Sequence, residues 1–345
     1  MNPSRRSAIR VLRWFFPVVF LLTACLLPAL PRVIKIGLVA PFEGRYRYIG
    51  YDAIYAARLA VREINAAGGV AGWSLELVAY DDRADPEMAR VAARNLVADP
   101  DVVATIGHYR QTSTSAAVDV YAAAGMPLLV VGEWLTVTDA PVWQMLPPPE
   151  RAAAAMVDVA LEGQSSTAAV WGEGLLVAAL DDAIDARALR RVATFPDVLF
   201  TTLPPVETAS RLAEWRAAGW EGTLVGGPDL AATDFAAVAG AAGEGTFFVT
   251  PYPLPQDAPD LEAWCAAYRA VGPHVPDPGP YARPTYEAVY ALAEVIAAAV
   301  TATGRPSRGG VQASGLGVAW DAAGYRSDMP LYVYVWEQSR ARLKR

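Results

Sequence analysis

The chain has 345 residues, 54% hydrophobic and 19% charged, which is enough apolar material for one large or two medium cores and too little charge for a disordered chain. Its net charge is −7, and its only lysines are Lys35 and Lys344. No basic stripe can be built from that balance, which argues against nucleic acid as a partner.

The N-terminus carries Arg5, Arg6, Arg10 and Arg13 and no acid through Ala24, so setting these four cations aside takes the remainder from −7 to −11. They precede an apolar stretch from Trp14 to Leu22 and then Leu22-Thr23-Ala24-Cys25. A basic start, a short apolar run and small residues before a cysteine describe an export signal. The tetrapeptide is similar to a bacterial lipobox, which makes 1–24 a lipoprotein signal peptide, Cys25 the lipidated residue and 25–32 a tether outside the cytoplasm. The rival reading is an uncleaved anchor, but the run Trp14 to Leu30 holds Pro17 and Pro28 and falls short of the ~20 residues a spanning helix needs. With Cys25 acylated, Cys265 has no partner and reads as a buried, inert thiol on a helix.

From Val33 the chain alternates strand and helix. Val33 to Val39 is a strand run, Pro41 to Gly50 a loop, and Tyr51 to Ala67 a helix with Ile54, Ala57, Val61 and Ile64 on one face. Gly68-Gly69 closes that helix, since glycine accepts a left-handed cap cheaply. Ser74 to Tyr80 reads as a strand, and Asp85-Pro86 opens a helix to Ala98, with the aspartate as N-cap. Val102 to Ile106 is a strand, Thr112 to Ala124 a helix capped by Thr112, and Pro127 to Val131 a strand. Pro147-Pro148-Pro149 then marks a crossing between domains.

A second series follows. It reads as helix 150–162, strand Thr167 to Trp171, helix Leu175 to Val192, strand Asp197 to Thr202, helix Glu207 to Ala218, strand Thr223 to Gly226, a short helix near Ala231–Ala239 and strand Thr246 to Thr250. Pro251 to Pro259 is another crossing, helices near 260–271 and 284–302 come next, and the end is β-rich at Gly317 to Trp320 and Leu331 to Trp336. Strands alternating with amphipathic helices imply parallel sheets covered on both faces. Two such units joined by more than one crossing leave a cleft at the carboxyl ends of the strands, where open sheets bind ligands.

Chemistry-bearing motifs are sparse. The two histidines, His108 and His274, and the two cysteines form no spaced ligand set for zinc. There is no Gly-x-Ser-x-Gly elbow and no Gly-x-x-x-x-Gly-Lys phosphate loop, and Gly243-Glu244-Gly245 and Gly315-Leu316-Gly317 lack the third glycine of a dinucleotide fingerprint. Asp81-Asp82 and Asp181-Asp182 read as solvated turn or helix-face acids. Without nucleophile, base and orienter together, an enzyme is disfavoured and no metal or cofactor is expected.

Four stretches, "IKIGLVAPFEG", "AVREINAAGGVAGWSLELVAYDDRADPEMA", "IGHYRQTSTSAAVDVYAAAGMPLL" and "GPYARPTYEAVYAL", resemble the periplasmic leucine/isoleucine/valine-binding protein family, type I solute-binding proteins of ABC importers. The resemblance implies an α/β fold of two Rossmann-like lobes with parallel sheets, joined by a three-crossing hinge. The N-terminal lobe would take 33–146 and 252–322, and the C-terminal lobe 147–251 and 323–345. The second lobe looks condensed, because only one helix fits between Trp171 and Asp197, where the family fits a helix, a strand and another helix.

The same resemblance implies the ligand contacts. The loop after the third strand, Tyr109-Arg110-Gln111-Thr112, would hold a carboxylate at a helix start, with Gln111 at the family's serine position. Gly226-Gly227-Pro228-Asp229 is similar to the family's Gly-Pro-Glu, making Asp229 an ammonium partner, and Trp171-Gly172-Glu173-Gly174 is similar to its Tyr-Gly-Glu-Gly loop, making Trp171 a wall. Departures are Gly132-Glu133-Trp134 in place of a small loop, and a first loop, Glu43 to Tyr48, rich in arginine and tyrosine, from which Tyr48 is expected in the cleft. His108 reads as a structural hydrogen-bonding group, and Arg110 as either a carboxylate clamp or a solvated rim. The implied role is a monomeric, membrane-anchored lipoprotein that captures a small polar ligand, amino-acid-like or an amide, and delivers it to an ABC permease. The alternative is a receptor of the same fold that signals through a partner without transport.

Overall fold

The computed structural model describes residues 32–136, 141–257, 259–315 and 320–344. Cys25 and the leader therefore lie outside the described residues, as does most of the expected strand at 317–320. Val33–Arg345 forms one compact unit.

Its first sheet contains β1 (Val33–Ala40), β2 (Ser74–Asp81), β3 (Val102–Gly107), β4 (Leu128–Val130) and β5 (Val142–Gln144), in the order β2-β1-β3-β4-β5 and parallel throughout. β1 shows why both faces must be covered. Ile34, Ile36 and Leu38 pack on one side with α1 (Arg47–Ala66) and α9 (Ala282–Thr303). Val39 packs on the other with α2 (Pro86–Ala98) and α3 (Gln111–Ala123). Helix α9 is apolar and long enough to cross a membrane, yet Leu292, Ile296 and Ala299 are buried in this core. Asp85 caps α2 as expected, its side chain accepting from the N–H groups of Glu87 and Met88 at 2.9 Å.

The second sheet runs β12-β11-β10-β9-β8-β6-β7. β6 (Thr167–Trp171), β7 (Arg190–Arg191), β8 (Val198–Thr201), β9 (Thr223–Gly226) and β10 (Phe247–Thr250) are parallel, and β11 (Tyr332–Glu337) and β12 (Arg340–Leu343) add antiparallel. Helices α4 (Pro149–Glu162) and α5 (Leu175–Ala186) cover one face, and α6 (Pro205–Ala217) and α7 (Thr233–Ala239) the other. The chain passes between the sheets after β5, after β10 and again before β11. Helices α8 (Pro259–Arg269) and α10 (Arg308–Ser314) lie in the return segment, with Leu261, Trp264 and Tyr268 packed against Ala56 and Leu59 of α1.

Several expected boundaries are corrected. The first loop is mostly helical, since a 3-10 turn at Gly44–Tyr46 feeds directly into α1 at Arg47. The helix expected to reach Val192 stops at Ala186, because the apolar face ends at Ile184 and Ala188 takes a left-handed φ of 55°. The edge of the second sheet is thus reduced rather than missing. The two-residue β7 pairs with β6 and no second helix covers it. Short, exposed edge strands of this kind limit unwanted pairing with other chains. β5, β12 and α10 carry no apolar periodicity long enough to be read from sequence.

Candidate functional site

The carboxyl ends of the two sheets face one another, and the loops leaving them line a cleft. Where β3 ends, Gly107 has φ 116° and lies against β1, so a Cβ there would sit 2.1 Å from the Val39 carbonyl oxygen. Only glycine suits that conformation. His108 follows, fully buried, with Nδ1 2.6 Å from Asp82 and Nε2 3.1 Å from the Tyr121 hydroxyl. This chain ties the end of β3 to its neighbours. The Tyr109 ring also turns inward, its hydroxyl 2.7 Å from that of Thr285, and it is fully buried. Tyr109 is therefore a core residue, contrary to expectation. Its main chain still shapes the site, since its carbonyl accepts the Glu133 N–H at 2.9 Å. Gly132 permits that approach, because a Cβ there would fall 2.0 Å from the same carbonyl oxygen.

Arg110 is the residue preceding α3, so Thr112 is not the cap, and no side chain caps this helix in the usual way. A carboxylate does so from a distance. Glu133 Oε2 accepts the Gln111 N–H at 2.6 Å, satisfying one of the free donors of the first turn. Glu133 Oε1 lies 2.6 Å from Arg110 Nη1, an ion pair held off the angle of a hydrogen bond. The guanidinium sits 4.3 Å over the Tyr46 ring and reaches within 3.9 Å of Asp229. Burial pulls the Arg110 pKa down, and Glu133 and Asp229 more than offset it, leaving it raised. Burial likewise raises Glu133, against the opposing pull of Arg110 and the Gln111 N–H.

Asp229 lies in a 3-10 turn, Pro228–Ala231, after β9, and Ala232 rather than Asp229 precedes α7. Its Oδ1 accepts from Tyr281 at 2.5 Å and from Tyr48 at 3.2 Å. Tyr48 lies in α1 and Tyr281 immediately precedes α9, both in the first sheet's layers, so these bonds cross the cleft. Burial raises both hydroxyl pKa values, and the Asp229 charge raises them further, keeping them protonated as donors. Tyr281 is held in turn by Asp52 of α1, whose two carboxylate oxygens accept the N–H groups of Gly279 at 2.9 Å and Tyr281 at 3.0 Å. Burial pushes the Asp52 carboxyl up to about 7 despite those two donors.

Two cavities share this cleft. The inner one, about 60 Å³, is walled by Trp134, Leu146, Leu176, Leu203, Leu230 and Tyr252 among others. The outer one, about 640 Å³, is lined by Arg45, Tyr46, Arg110, Thr112, Gly172 and Glu207 among others. Gln111, Glu133, Glu173, Thr202 and Leu203 border both. Trp134 is 6% exposed, donates to the Pro147 carbonyl at 2.7 Å, and joins the core cluster of the second sheet although it comes from the first.

Of the expected contacts, Arg110, Gln111, Thr112, Glu133, Trp134 and Asp229 border a cavity, and Tyr48 reaches it through Asp229. Trp171 does not. Its ring packs edge-on against Trp215 at 4.7 Å on the α6 face, and Gly172 to Gly174 turn to the cleft instead. Tyr46, Tyr252 and Tyr281 were not singled out from sequence. Gly279-Pro280-Tyr281 before a long apolar helix was the available signal for Tyr281. Among the described residues no cluster of three His, Cys, Asp or Glu side chains is placed to hold a metal.

Residues 33–175 and 177–329 match the family model described as periplasmic binding protein. The chain belongs to the periplasmic binding protein family. Among curated relatives of this periplasmic binding protein, the Leu/Ile/Val-binding protein of Escherichia coli K12 is 37% identical over 101 residues, 29% of this chain and 27% of that protein. The leucine-, isoleucine-, valine-, threonine- and alanine-binding protein of Pseudomonas aeruginosa is 40% identical over 96 residues, 28% of this chain and 26% of that one. The matched stretch thus spans about a quarter of those relatives' length. In fold the similarity is nearly complete. A leucine-binding protein from Thermotoga maritima superposes with a TM-score of 0.76 at 18% identity, covering 90% of this chain and 98% of that one. A branched-chain amino acid transporter substrate-binding protein from Streptococcus pneumoniae, solved with isoleucine, gives 0.74 at 18% identity and the same coverage. The architecture is that of a type I periplasmic binding protein.

Proposed function

We propose that this protein is the extracytoplasmic solute-binding component of an ABC importer, which encloses a small polar ligand between its lobes and presents it to the permease. We assign the lobes to 33–146 with 252–322 and to 147–251 with 323–345, and the membrane attachment to lipidated Cys25. The observation that carries the reading is the cleft at the facing ends of two parallel sheets, bridged by Tyr48 and Tyr281 on Asp229. That arrangement can bury a ligand by closure. Family membership supports the extracytoplasmic location. The amino acids named for the relatives motivate the ligand class of amino-acid-like molecules and amides. The ligand contacts we assign are Tyr48, Arg110, Gln111, Thr112, Glu133, Trp134 and Asp229.

A thermal-shift screen of the purified protein with amino acids, amides, small acids and polyols tests this. A ligand at 100 times its dissociation constant adds about 2.7 kcal/mol of stability. No shift across the whole library would defeat solute capture.

A further inference from the structure

A free amino acid brings two charges into a cleft, and this cleft has one natural place for each. The anion's place is the first turn of α3, where backbone N–H groups point outward. The cation's place is the carboxylate of Asp229. Both are already filled by the chain. Glu133 puts its carboxylate on the Gln111 N–H at 2.6 Å, and Arg110 puts its guanidinium 3.9 Å from Asp229, with the two joined at 2.6 Å. Asp229 is further satisfied by the Tyr281 and Tyr48 hydroxyls. A zwitterion entering here would have to displace a partly buried ion pair whose side chains are 14% and 25% exposed. Removing one partner from such a pair is strongly unfavourable.

Apart from Glu173, an exposed carboxylate that borders both cavities, what the cleft leaves unspent toward the inner cavity is uncharged. The inner cavity is walled by Trp134, Leu146, Leu176 and Leu203. The Gln111 side-chain amide borders both cavities, and among the described residues no hydrogen bond engages it. An apolar wall with one free side-chain amide suits an apolar body carrying a neutral donor and acceptor.

We propose that Arg110 and Glu133 occupy the places of a ligand's ammonium and carboxylate, so that the cleft rejects free amino acids and takes an uncharged, short aliphatic amide or a molecule of that class. The inference rests on the solute-capture reading and narrows it.

The test uses four probes with one carbon skeleton and different charge: isovaleramide, leucine, isovalerate and isoamylamine. Each is titrated calorimetrically into the full-chain protein and into Arg110→Ala/Glu133→Ala, with circular dichroism melts to show that the variant folds. The wild type should bind isovaleramide about 100-fold more tightly than leucine, and the variant should gain leucine binding. Should the variant not fold, the wild-type ranking decides alone. Wild-type leucine affinity equal to or above that of isovaleramide overturns the inference and leaves solute capture standing. Silence toward all four probes in both proteins also overturns it, and the broader screen then shows independently whether solute capture fails with it.

Discussion

The two walls of the cleft are built differently. The wall from the first sheet is fixed from behind. Asp52 holds Tyr281, Tyr109 and Gly132 seat Glu133, and the Tyr46 ring backs Arg110. The wall from the second sheet is mainly loop, with Gly172, Glu173 and Gly174 exposed and, among the described residues, the Asp229 carboxylate engaged by groups from the opposite side. One wall is braced by its own layer, and the other is engaged from across the cleft. Bracing in advance lowers the ordering cost of capture.

The comparison can be broken most severely at Trp134. Trp134→Ala should cost about 3–5 kcal/mol in urea denaturation, because the indole fills the second core and donates to Pro147. A loss below about 1 kcal/mol would mean that the walls are not joined there.

A second, smaller effect concerns the support of Tyr281. With its carboxyl at about 7 in the folded protein against 3.8 in the unfolded chain, Asp52 keeps a proton that the unfolded chain releases. Its contribution therefore declines as pH rises from about 4 to 7 and is flat on either side. Relative to Asp52→Asn, the wild type should lose stability across that window, by a few kcal/mol at most, since each tenfold in proton affinity is worth about 1.4 kcal/mol. Parallel pH profiles for the two proteins would contradict this.

The smallest effects concern the bonds that engage Asp229 from across the cleft. Tyr281→Phe removes the shorter bond to Asp229 and should cost about 1.5–3 kcal/mol, whereas Tyr48→Phe, at 3.2 Å, should cost about 1 kcal/mol. Small-angle scattering should show a more open average for the first variant than the second. The reverse order would place the main bridge at α1.

The same asymmetry governs what could be read from the residues. β4 is a continuous apolar run, and β1 and β3 are predominantly apolar runs broken by Lys35 and Thr105; they were legible because both faces are covered. β7 and β12 are exposed edge pieces of two and four residues, rich in arginine, and carried no pattern to find. At the site, the loops could be placed from strand ends, which located Arg110, Glu133 and Asp229. Side-chain direction could not be placed the same way. Tyr109 and Trp171 each sit beside a cavity-lining residue, yet one turn of the backbone sends them into a core. Nor could the sequence show that Glu133 would reach back to α3 across 22 residues.

Trp134 leaves the first sheet and ends in the second core, beside the Pro147 carbonyl where the chain itself crosses over. One side chain of the first sheet's layer is thereby keyed into the second core at the crossing, so the two walls share a packed joint there, while on the outer cavity they meet through surface charge, Arg45 facing Glu207 at 3.8 Å.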